Sequence, residues 1–222
     1  MPDAPRLICD LDGTLTDSAP SLCAAGNKVL AELGRDPVTV ETYITFIGLG
    51  QRVQVERLLT WTGGIPGGDV TPFLARFRAL YDPLLASRPY PGAVEALTAL
   101  AAEGWRLAVC TQKPEAKARE VLAAFGFPVK VVVGGDTLGP EVLKPDPRVV
   151  RAAADPLGTG PAVYVGDGET DAAAARAVGM PFLLHLNGYR HGPAEAMAPW
   201  ASFSDWADVP ALARAAAGLA PA

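Results

Sequence analysis

Short apolar runs recur along the chain, and each is followed by a turn and an alanine-rich helical pattern. Because these runs are apolar on both faces of an extended chain, they predict strands of a parallel sheet that is covered by helices on both sides. The runs are RLICD at 6–10, RLAVCT at 106–111, VKVVV at 129–133, AVYVGD at 162–167 and PFLLHL at 181–186. Strands that alternate with helices predict an α/β fold with a doubly wound, Rossmann-like parallel sheet as its core.

One long interval interrupts this alternation. Between residues 10 and 106 no convincing buried strand occurs, and helices are predicted instead at 17–34, 50–61 and 69–86. A connection of this length is expected to carry structure of its own. We therefore predict a helical cap domain at 17–86, inserted into a catalytic core that is formed by 1–16 and 87–222.

Composition and charge exclude several classes of function. A formal net charge of −5 and no run of basic residues argue against nucleic-acid binding, which needs a positive face. The N-terminus lacks a basic segment followed by an apolar one, and no apolar stretch is long enough to span a bilayer, so no membrane partner is expected. The three cysteines are an odd number without CxxC spacing, which indicates neither a disulfide framework nor a zinc site. A cytoplasmic protein is predicted.

Polar residues follow four of the predicted strands, at the sheet edge where ligands bind in open α/β folds. They are Asp10, Asp12 and Thr14 after the first run, Thr111, Gln112 and Lys113 after the second, Lys144 after the third, and Asp167, Gly168 and Asp171 after the fourth. Carboxylates, a lysine, a hydroxyl group and a turn that leads into a helix are together what a phosphate group with its metal ion requires. The sequence thus predicts a site for a phosphorylated substrate.

These residue types also suggest individual roles. Asp10 and Asp167 can hold Mg²⁺, a hard cation that prefers oxygen ligands, while Lys144 and the backbone amides near Gln112 can bind phosphate oxygens. With its charge compensated by the metal, Asp10 can act as a nucleophile on phosphorus. Asp12 is close enough in sequence to give a proton to the leaving alcohol and later to take one from water.

The same residues resemble a known family. In order along the chain, DLDGTL at 10–15, Thr111, KPDP at 144–147 and GDGETD at 166–171 resemble the four motifs of haloacid dehalogenase-like hydrolases. Within that superfamily, the stretches LTDSAPSLCAAGNKVLAELG, IGLGQRVQVERLL, YPGAVEAL and CTQKP look like the phosphoglycolate phosphatase branch. The resemblance covers nearly the whole chain.

The resemblance implies the roles above for Asp10, Asp12 and Lys144, with Asp167 on Mg²⁺. It adds Thr111 as a phosphate contact and the backbone carbonyl of Asp12 as a metal ligand. Asp171 is implied to assist either the metal or Lys144, and the residues expected to support the site are Thr14, Gly168 and Asp171. Relatives usually carry Asn where Gln112 stands, so the resemblance assigns no role to the Gln112 side chain.

The implied activity is hydrolysis of a small phosphorylated metabolite, 2-phosphoglycolate in particular, by a monomer or a homodimer. The carboxylate of such a substrate would need a cationic or amide partner from the cap. Arg52, just after the GLGQ turn, is the candidate, although a surface arginine at a helix start is the commoner explanation.

Two alternatives remain open at this stage. A phosphomutase of the β-phosphoglucomutase type would carry the same carboxylates, and it would need a sugar bisphosphate for turnover. A phospho-accepting signalling protein also places acidic residues, Thr and Lys around Mg²⁺, but the cap-sized insertion and the late GDGETD segment argue against it.

Overall fold

The computed structural model describes residues 4–139 and 141–219. The chain divides into two compact units. The core unit combines Met1–Asp17 with Pro89–Ala222, and the inserted unit is Ser18–Arg88. The predicted cap range of 17–86 starts one residue earlier and ends two residues earlier than the inserted unit. A cap-like role for this unit stays a prediction.

The predicted strands all form. The strands are β1 (Arg6–Cys9), β2 (Thr16–Asp17), β3 (Arg88–Pro89), β4 (Arg106–Cys110), β5 (Val131–Val133), β6 (Ala162–Gly166), β7 (Phe182–His185) and β8 (Ala201–Phe203). Six of them form one sheet in the order β5-β4-β1-β6-β7-β8, in which every neighbouring pair is parallel. The short strands β2 and β3 form a separate two-stranded sheet. The prediction of a doubly wound parallel core is confirmed, and β8 is an additional strand.

Helices occupy most of the remaining chain. They are α1 (Ala19–Glu32), α2 (Val40–Ile44), α3 (Gly50–Trp61), α4 (Thr71–Leu80), α5 (Ala93–Ala102), α6 (Glu115–Ala124), α7 (Pro147–Ala154), α8 (Glu169–Ala177) and α9 (Val209–Ala216). Short 3₁₀ turns lie at Pro66–Gly68, Asp155–Leu157, Ala194–Met197 and Trp206–Asp208. The carboxylate of Asp146 caps α7, because it accepts a hydrogen bond of 2.9 Å from the backbone N–H of Arg148.

The predicted helix at 69–86 is wrong over its last residues. Helix α4 ends at Leu80, and Tyr81 has an extended conformation with ψ of 115°. The sequence Asp82-Pro83 explains the early end, since the ring of a proline disfavours helical backbone angles at the residue before it.

The core unit packs its sheet on both faces. Leu7 and Cys9 of β1 point to one face, where they join a cluster with residues of α5, α6 and α9. Ile8 points to the other face and packs with residues of α7 and α8. Fully burying an aliphatic side chain of this size contributes about 1.5–3 kcal/mol. This two-sided burial explains why the strand sequences are continuous apolar runs.

The inserted unit is helical. Helix α1 packs against α2, α3 and α4. Tyr43 and Phe77 are fully buried in this unit, and the ring of Tyr43 meets that of Phe46 edge-on at 5.8 Å between centroids. Its interior is therefore built from aromatic and aliphatic side chains.

The structure also shows the state of the cysteines and whether any described helix could cross a membrane. Cys9, Cys23 and Cys110 are free thiols, and each is buried. Within 4–139 and 141–219, no helix combines the length and the apolar character that crossing a membrane would require.

Candidate active site

The loops after β1, β4, β5 and β6 bring the predicted polar residues to one edge of the sheet. Asp10 follows β1 directly, Thr111 follows β4, and Asp167 follows β6. Parallel strands end at the same edge, so residues far apart in sequence meet there. A carboxylate oxygen from each of Asp10, Asp167 and Asp171 lies within 4.8 Å of the others.

Burial dominates the electrostatics of these carboxylates. Burial raises the pKa of Asp10 to about 7, with Lys144 acting against it and the charges of Asp171 and Asp12 adding to it. Burial also raises the pKa of Asp167 well above its ordinary value, and Asp171 and Asp10 add to that shift. Three clustered carboxylates are costly to ionise together, so the arrangement favours the binding of a cation.

Lys144 is the cation that the chain itself supplies. Its Nζ lies 2.7 Å from Oδ1 of Asp171 and 3.0 Å from Oδ1 of Asp10. Burial acts to lower the pKa of Lys144, but the charges of Asp10 and Asp171 outweigh that effect and raise the pKa. Lys144 therefore stays an ammonium ion between the two carboxylates.

Asp171 has its hydrogen-bonding capacity filled by protein groups. Its Oδ1 accepts from Lys144 and from the hydroxyl group of Tyr164, at 2.7 and 3.1 Å. Its Oδ2 accepts from the backbone N–H groups of Asp167 and Gly168, each at 3.2 Å. Of the two roles implied for Asp171, this geometry favours support of Lys144 and of the turn at 167–168.

Asp167 is oriented by two loops. Its Oδ1 accepts a hydrogen bond of 2.7 Å from Oγ1 of Thr14, and its Oδ2 accepts one of 2.7 Å from the backbone N–H of Tyr189. Gly13, which has a φ of +84°, and Gly188 pack so closely that a Cβ at either position would overlap the Asp167 side chain. The position of this carboxylate is thus fixed on several sides.

The structure brings Asp12 to the same edge and pairs it with a residue to which the sequence had assigned no role. Nζ of Lys113 lies 2.6 and 2.8 Å from the two carboxylate oxygens of Asp12. Lys113 is buried. In the sequence, a lysine that follows a strand is most simply interpreted as a solvated side chain. The position of Lys113 next to Gln112 is the only signal that could have suggested a part in the site.

Thr111 and Gln112 lie at the end of β4 as predicted. Thr111 is buried, and its Oγ1 accepts a hydrogen bond of 3.2 Å from the backbone N–H of Lys113. Gln112 is half-buried. Arg52 is an exposed residue in the first turn of α3, within the inserted unit. Its contact with a substrate stays a prediction.

His185 is fully buried. Its ring lies among those of Tyr90, Phe203 and Trp206, and Nδ1 donates a hydrogen bond of 2.8 Å to the carbonyl of Gly13. Burial lowers the pKa of His185, with a further contribution from Arg190, whereas the bond to Gly13 acts in the opposite direction. The neutral ring therefore supports the turn that follows Asp10 and Asp12.

The residues present fit a bound metal ion. Oδ1 of Asp10 is buried and receives no hydrogen bond from the described residues, although the Lys144 ammonium is 3.0 Å away. A buried carboxylate oxygen without a donor is a suitable ligand atom, and the neighbouring side chains offer only oxygen ligands. Such a donor set suits a hard divalent cation.

Comparisons with known proteins agree with this geometry. The sequence profile of the haloacid dehalogenase-like hydrolases matches residues 6–179. A phosphoglycolate phosphatase of Cereibacter sphaeroides is 42% identical over 215 residues, which cover 95% of this chain and 98% of the relative. The phosphoglycolate phosphatase of Rhodospirillum rubrum is 42% identical over 220 residues, which cover 94% of this chain and 90% of that protein.

The fold agrees as well. A crystal structure from Haemophilus somnus, described as a predicted phosphoglycolate phosphatase, superimposes with a TM-score of 0.85 at 31% identity. The superposition covers 93% of this chain and 96% of that one. This chain belongs to the haloacid dehalogenase-like hydrolase family.

Proposed function

We propose that this chain is an Mg²⁺-dependent phosphomonoesterase that hydrolyses 2-phosphoglycolate through a phosphoryl intermediate on Asp10. The observation that carries the proposal is the environment of the Asp10 carboxylate. It lies at the end of a buried strand, and its buried Oδ1 forms an ion pair of 3.0 Å with the Lys144 ammonium but receives no well-oriented hydrogen bond from the described residues. The identity of 42% to phosphoglycolate phosphatases supports both the reaction and the substrate.

In the first half of the reaction, Asp10 attacks phosphorus. A carboxylate oxygen of Asp10 forms a bond to phosphorus while the bond from phosphorus to the substrate alcohol breaks. Asp12 gives its proton to the departing alkoxide, so that a neutral alcohol leaves. Lys144, Thr111 and the backbone amides near Gln112 hold the phosphate oxygens.

In the second half, water releases the phosphoryl group. Asp12, now a carboxylate, takes a proton from the water as the water oxygen bonds to phosphorus. The bond from phosphorus to Asp10 breaks, inorganic phosphate leaves, and Asp12 is protonated again for the next cycle. Both half-reactions need the Asp12 carboxyl group at the same place.

Asp10, Asp167 and the backbone carbonyl of Asp12 would hold Mg²⁺. When bound, the ion supplies positive charge against the clustered carboxylates and the transferring phosphoryl group. We assign Asp171 to Lys144 instead, because both of its oxygens already accept hydrogen bonds from the protein. Arg52 is our candidate partner for the carboxylate of the substrate.

The remaining proposals concern the setting of the enzyme. We infer a cytoplasmic enzyme that works as a monomer or a homodimer on a small metabolite, without a nucleic-acid or membrane partner. Cell fractionation tests the cytoplasmic location, and light scattering of the purified protein tests the oligomeric state.

A phosphate-release screen tests the function. The purified protein is incubated with Mg²⁺ and a panel of 2-phosphoglycolate, sugar phosphates, nucleotides, a phosphopeptide and p-nitrophenyl phosphate. The expected result is a kcat/KM for small phosphorylated acids at least about tenfold above that for nucleotides and the phosphopeptide. Excess chelator should remove the activity, and Ca²⁺ should inhibit because its coordination is larger and looser.

Two outcomes would contradict this proposal. Full activity in excess chelator would exclude the metal assignment. Turnover that depends on added sugar bisphosphate would indicate a phosphomutase instead.

A further inference from the structure

The pairing of Lys113 with Asp12 is a buried ion pair that the reaction scheme above leaves without a role. Nζ of Lys113 contacts both carboxylate oxygens, at 2.6 and 2.8 Å. The Lys113 side chain is only 2% exposed, and that of Asp12 is 17% exposed. Burying an ammonium ion is costly unless a charged partner compensates it, so this placement calls for a reason.

The backbone around Lys113 is held on two sides. Its N–H donates to Oγ1 of Thr111 at 3.2 Å, and its carbonyl accepts from the N–H of Gly135 at 2.9 Å. A Cβ at Gly135 would overlap the carbonyl of Gln112, so the two loops are in close contact here. These contacts fix the point from which the Lys113 side chain reaches toward Asp12.

Asp12 depends on this one partner. Over the described parts of the chain, Lys113 is the only side chain that donates hydrogen bonds to the Asp12 carboxylate. Asp10 faces a different lysine, Lys144, which is shared with Asp171. The two buried lysines thus serve different carboxylates, one the nucleophile and the other the proton carrier.

We propose that Lys113 is a positioning residue that fixes the orientation of the Asp12 carboxyl group for proton transfer. This inference rests on the proposed function. A carboxyl group whose orientation is fixed by a single side-chain partner can rotate about its own side chain once that partner is removed. A misplaced acid then transfers its proton poorly. Lys113 acts through Asp12 and needs no contact with the substrate.

The dependence on the leaving group tests the proposal. An alkoxide such as that from 2-phosphoglycolate needs a proton to leave, whereas p-nitrophenolate leaves without one. In single-turnover measurements of alcohol release, we expect Lys113→Met to lose at least about 100-fold on 2-phosphoglycolate and less than about tenfold on p-nitrophenyl phosphate. Equal losses on both substrates would overturn the proposal, because a purely structural defect does not depend on the leaving group.

A double-mutant cycle gives an independent readout. If Lys113 acts through Asp12, adding Lys113→Met to Asp12→Asn should change the rate by less than about threefold. A second large loss in that background would contradict the proposal. Lys117→Met is the matched control, since Lys117 lies in the helix that follows Lys113 with its side chain 39% exposed, and wild-type rates are expected.

Folding and basal activity are controlled separately. Thermal unfolding of each variant shows whether it folds, and Lys113→Gln replaces Lys113→Met in both tests if the methionine variant does not. A wild-type protein that releases alcohol from neither substrate would refute the proposed function. An active wild type with equal losses in the variant would refute only the role of Lys113.

Discussion

The core unit and the inserted unit differ in the polar side chains that they bury. Among residues 4–139 and 141–219, the charged residues that are buried all lie in the core unit, and they are Lys113, Lys144, Asp167 and Asp171. The polar residues buried in the inserted unit are all neutral, and they are Ser18, Ser21, Gln51, Gln54 and Ser87. Ion pairs of the inserted unit lie at its surface, as between Arg76 and Glu32, whose side chains are 49% and 44% exposed.

The difference shows where function, as opposed to folding, has determined the sequence. Burying a hydroxyl or an amide group is tolerable when it is hydrogen-bonded, whereas burying a charge costs several times more and needs a charged partner. The inserted unit packs as an ordinary helical assembly would. The core unit concentrates opposite charges at one edge of its sheet, which a fold alone does not require.

From this comparison we expect that only substitutions at the charged edge of the core abolish catalysis. Asp10→Asn keeps the shape of the side chain but is a poor nucleophile, so we expect phosphate release to fall by at least about 10⁴-fold. Asp36→Asn makes the same chemical change at an exposed position of the inserted unit and should leave the rate unchanged. An Asp10→Asn protein with a tenth of wild-type activity would contradict the covalent mechanism.

Removing a charged side chain should reduce stability much more in the core unit than in the inserted unit. Lys144→Met leaves Asp10 and Asp171 without their shared cation, and the free energy of unfolding in chelator at neutral pH should fall by about 3 kcal/mol. Arg76→Met breaks an exposed pair and should cause a much smaller loss. Urea unfolding of the two variants measures both values, and similar losses would mean that the two units do not differ as we describe.

A third prediction concerns the protonation of His185, which would add a positive charge to the core. Because burial lowers the pKa of His185, the unfolded chain takes up a proton first as pH falls below the ordinary value of 6.5. The unfolded state then binds more protons, so His185 should reduce stability as pH falls, by at most about 1.4 kcal/mol per pH unit.

Urea unfolding between about pH 7 and about pH 5 checks this sign. His185→Gln should make the decline toward acidic pH shallower. His191→Gln, at the exposed second histidine of the chain, is the control and should keep the wild-type slope. A wild-type slope in His185→Gln would show that the ring gains no proton on unfolding.

The smallest effect is expected from the inserted unit. If Arg52 binds the carboxylate of the substrate, Arg52→Ala should raise KM for 2-phosphoglycolate by about fivefold and leave KM for p-nitrophenyl phosphate unchanged. Lys28→Ala removes an exposed positive charge from the same unit and serves as the control. Equal effects of Arg52→Ala on both substrates would remove Arg52 from the site and leave the inserted unit without a charged contact.

Much of this architecture was predictable because it is encoded locally. Continuous apolar runs identify the central strands, and the parallel order then places Asp10, Thr111 and Asp167 at one edge. Strand β8 has the sequence Ala-Ser-Phe and escaped prediction because it is not a continuous apolar run, unlike the equally short β5. Helix α4 ends early because of Pro83. In the sequence, the helical pattern of the neighbouring residues concealed this effect.

The parts of the site that were missed depend on distant partners. Lys113 is 101 residues from Asp12 in sequence, and nothing near it distinguishes a buried ammonium from a solvated one. The bond from Nδ1 of His185 to the carbonyl of Gly13 joins positions 172 residues apart. Such pairings follow from tertiary geometry, which one sequence read by its local patterns does not contain.

The glycines beside Asp167 have a consequence for variation in this chain. At Gly13 and Gly188 the site is shaped by the absence of a side chain, so a single added methyl group would displace a carboxylate while changing no functional group. Gly188→Ala would therefore disturb the Asp167 carboxylate without replacing it. Any attempt to redesign this enzyme for another substrate must keep both glycines in place before it alters a reacting residue.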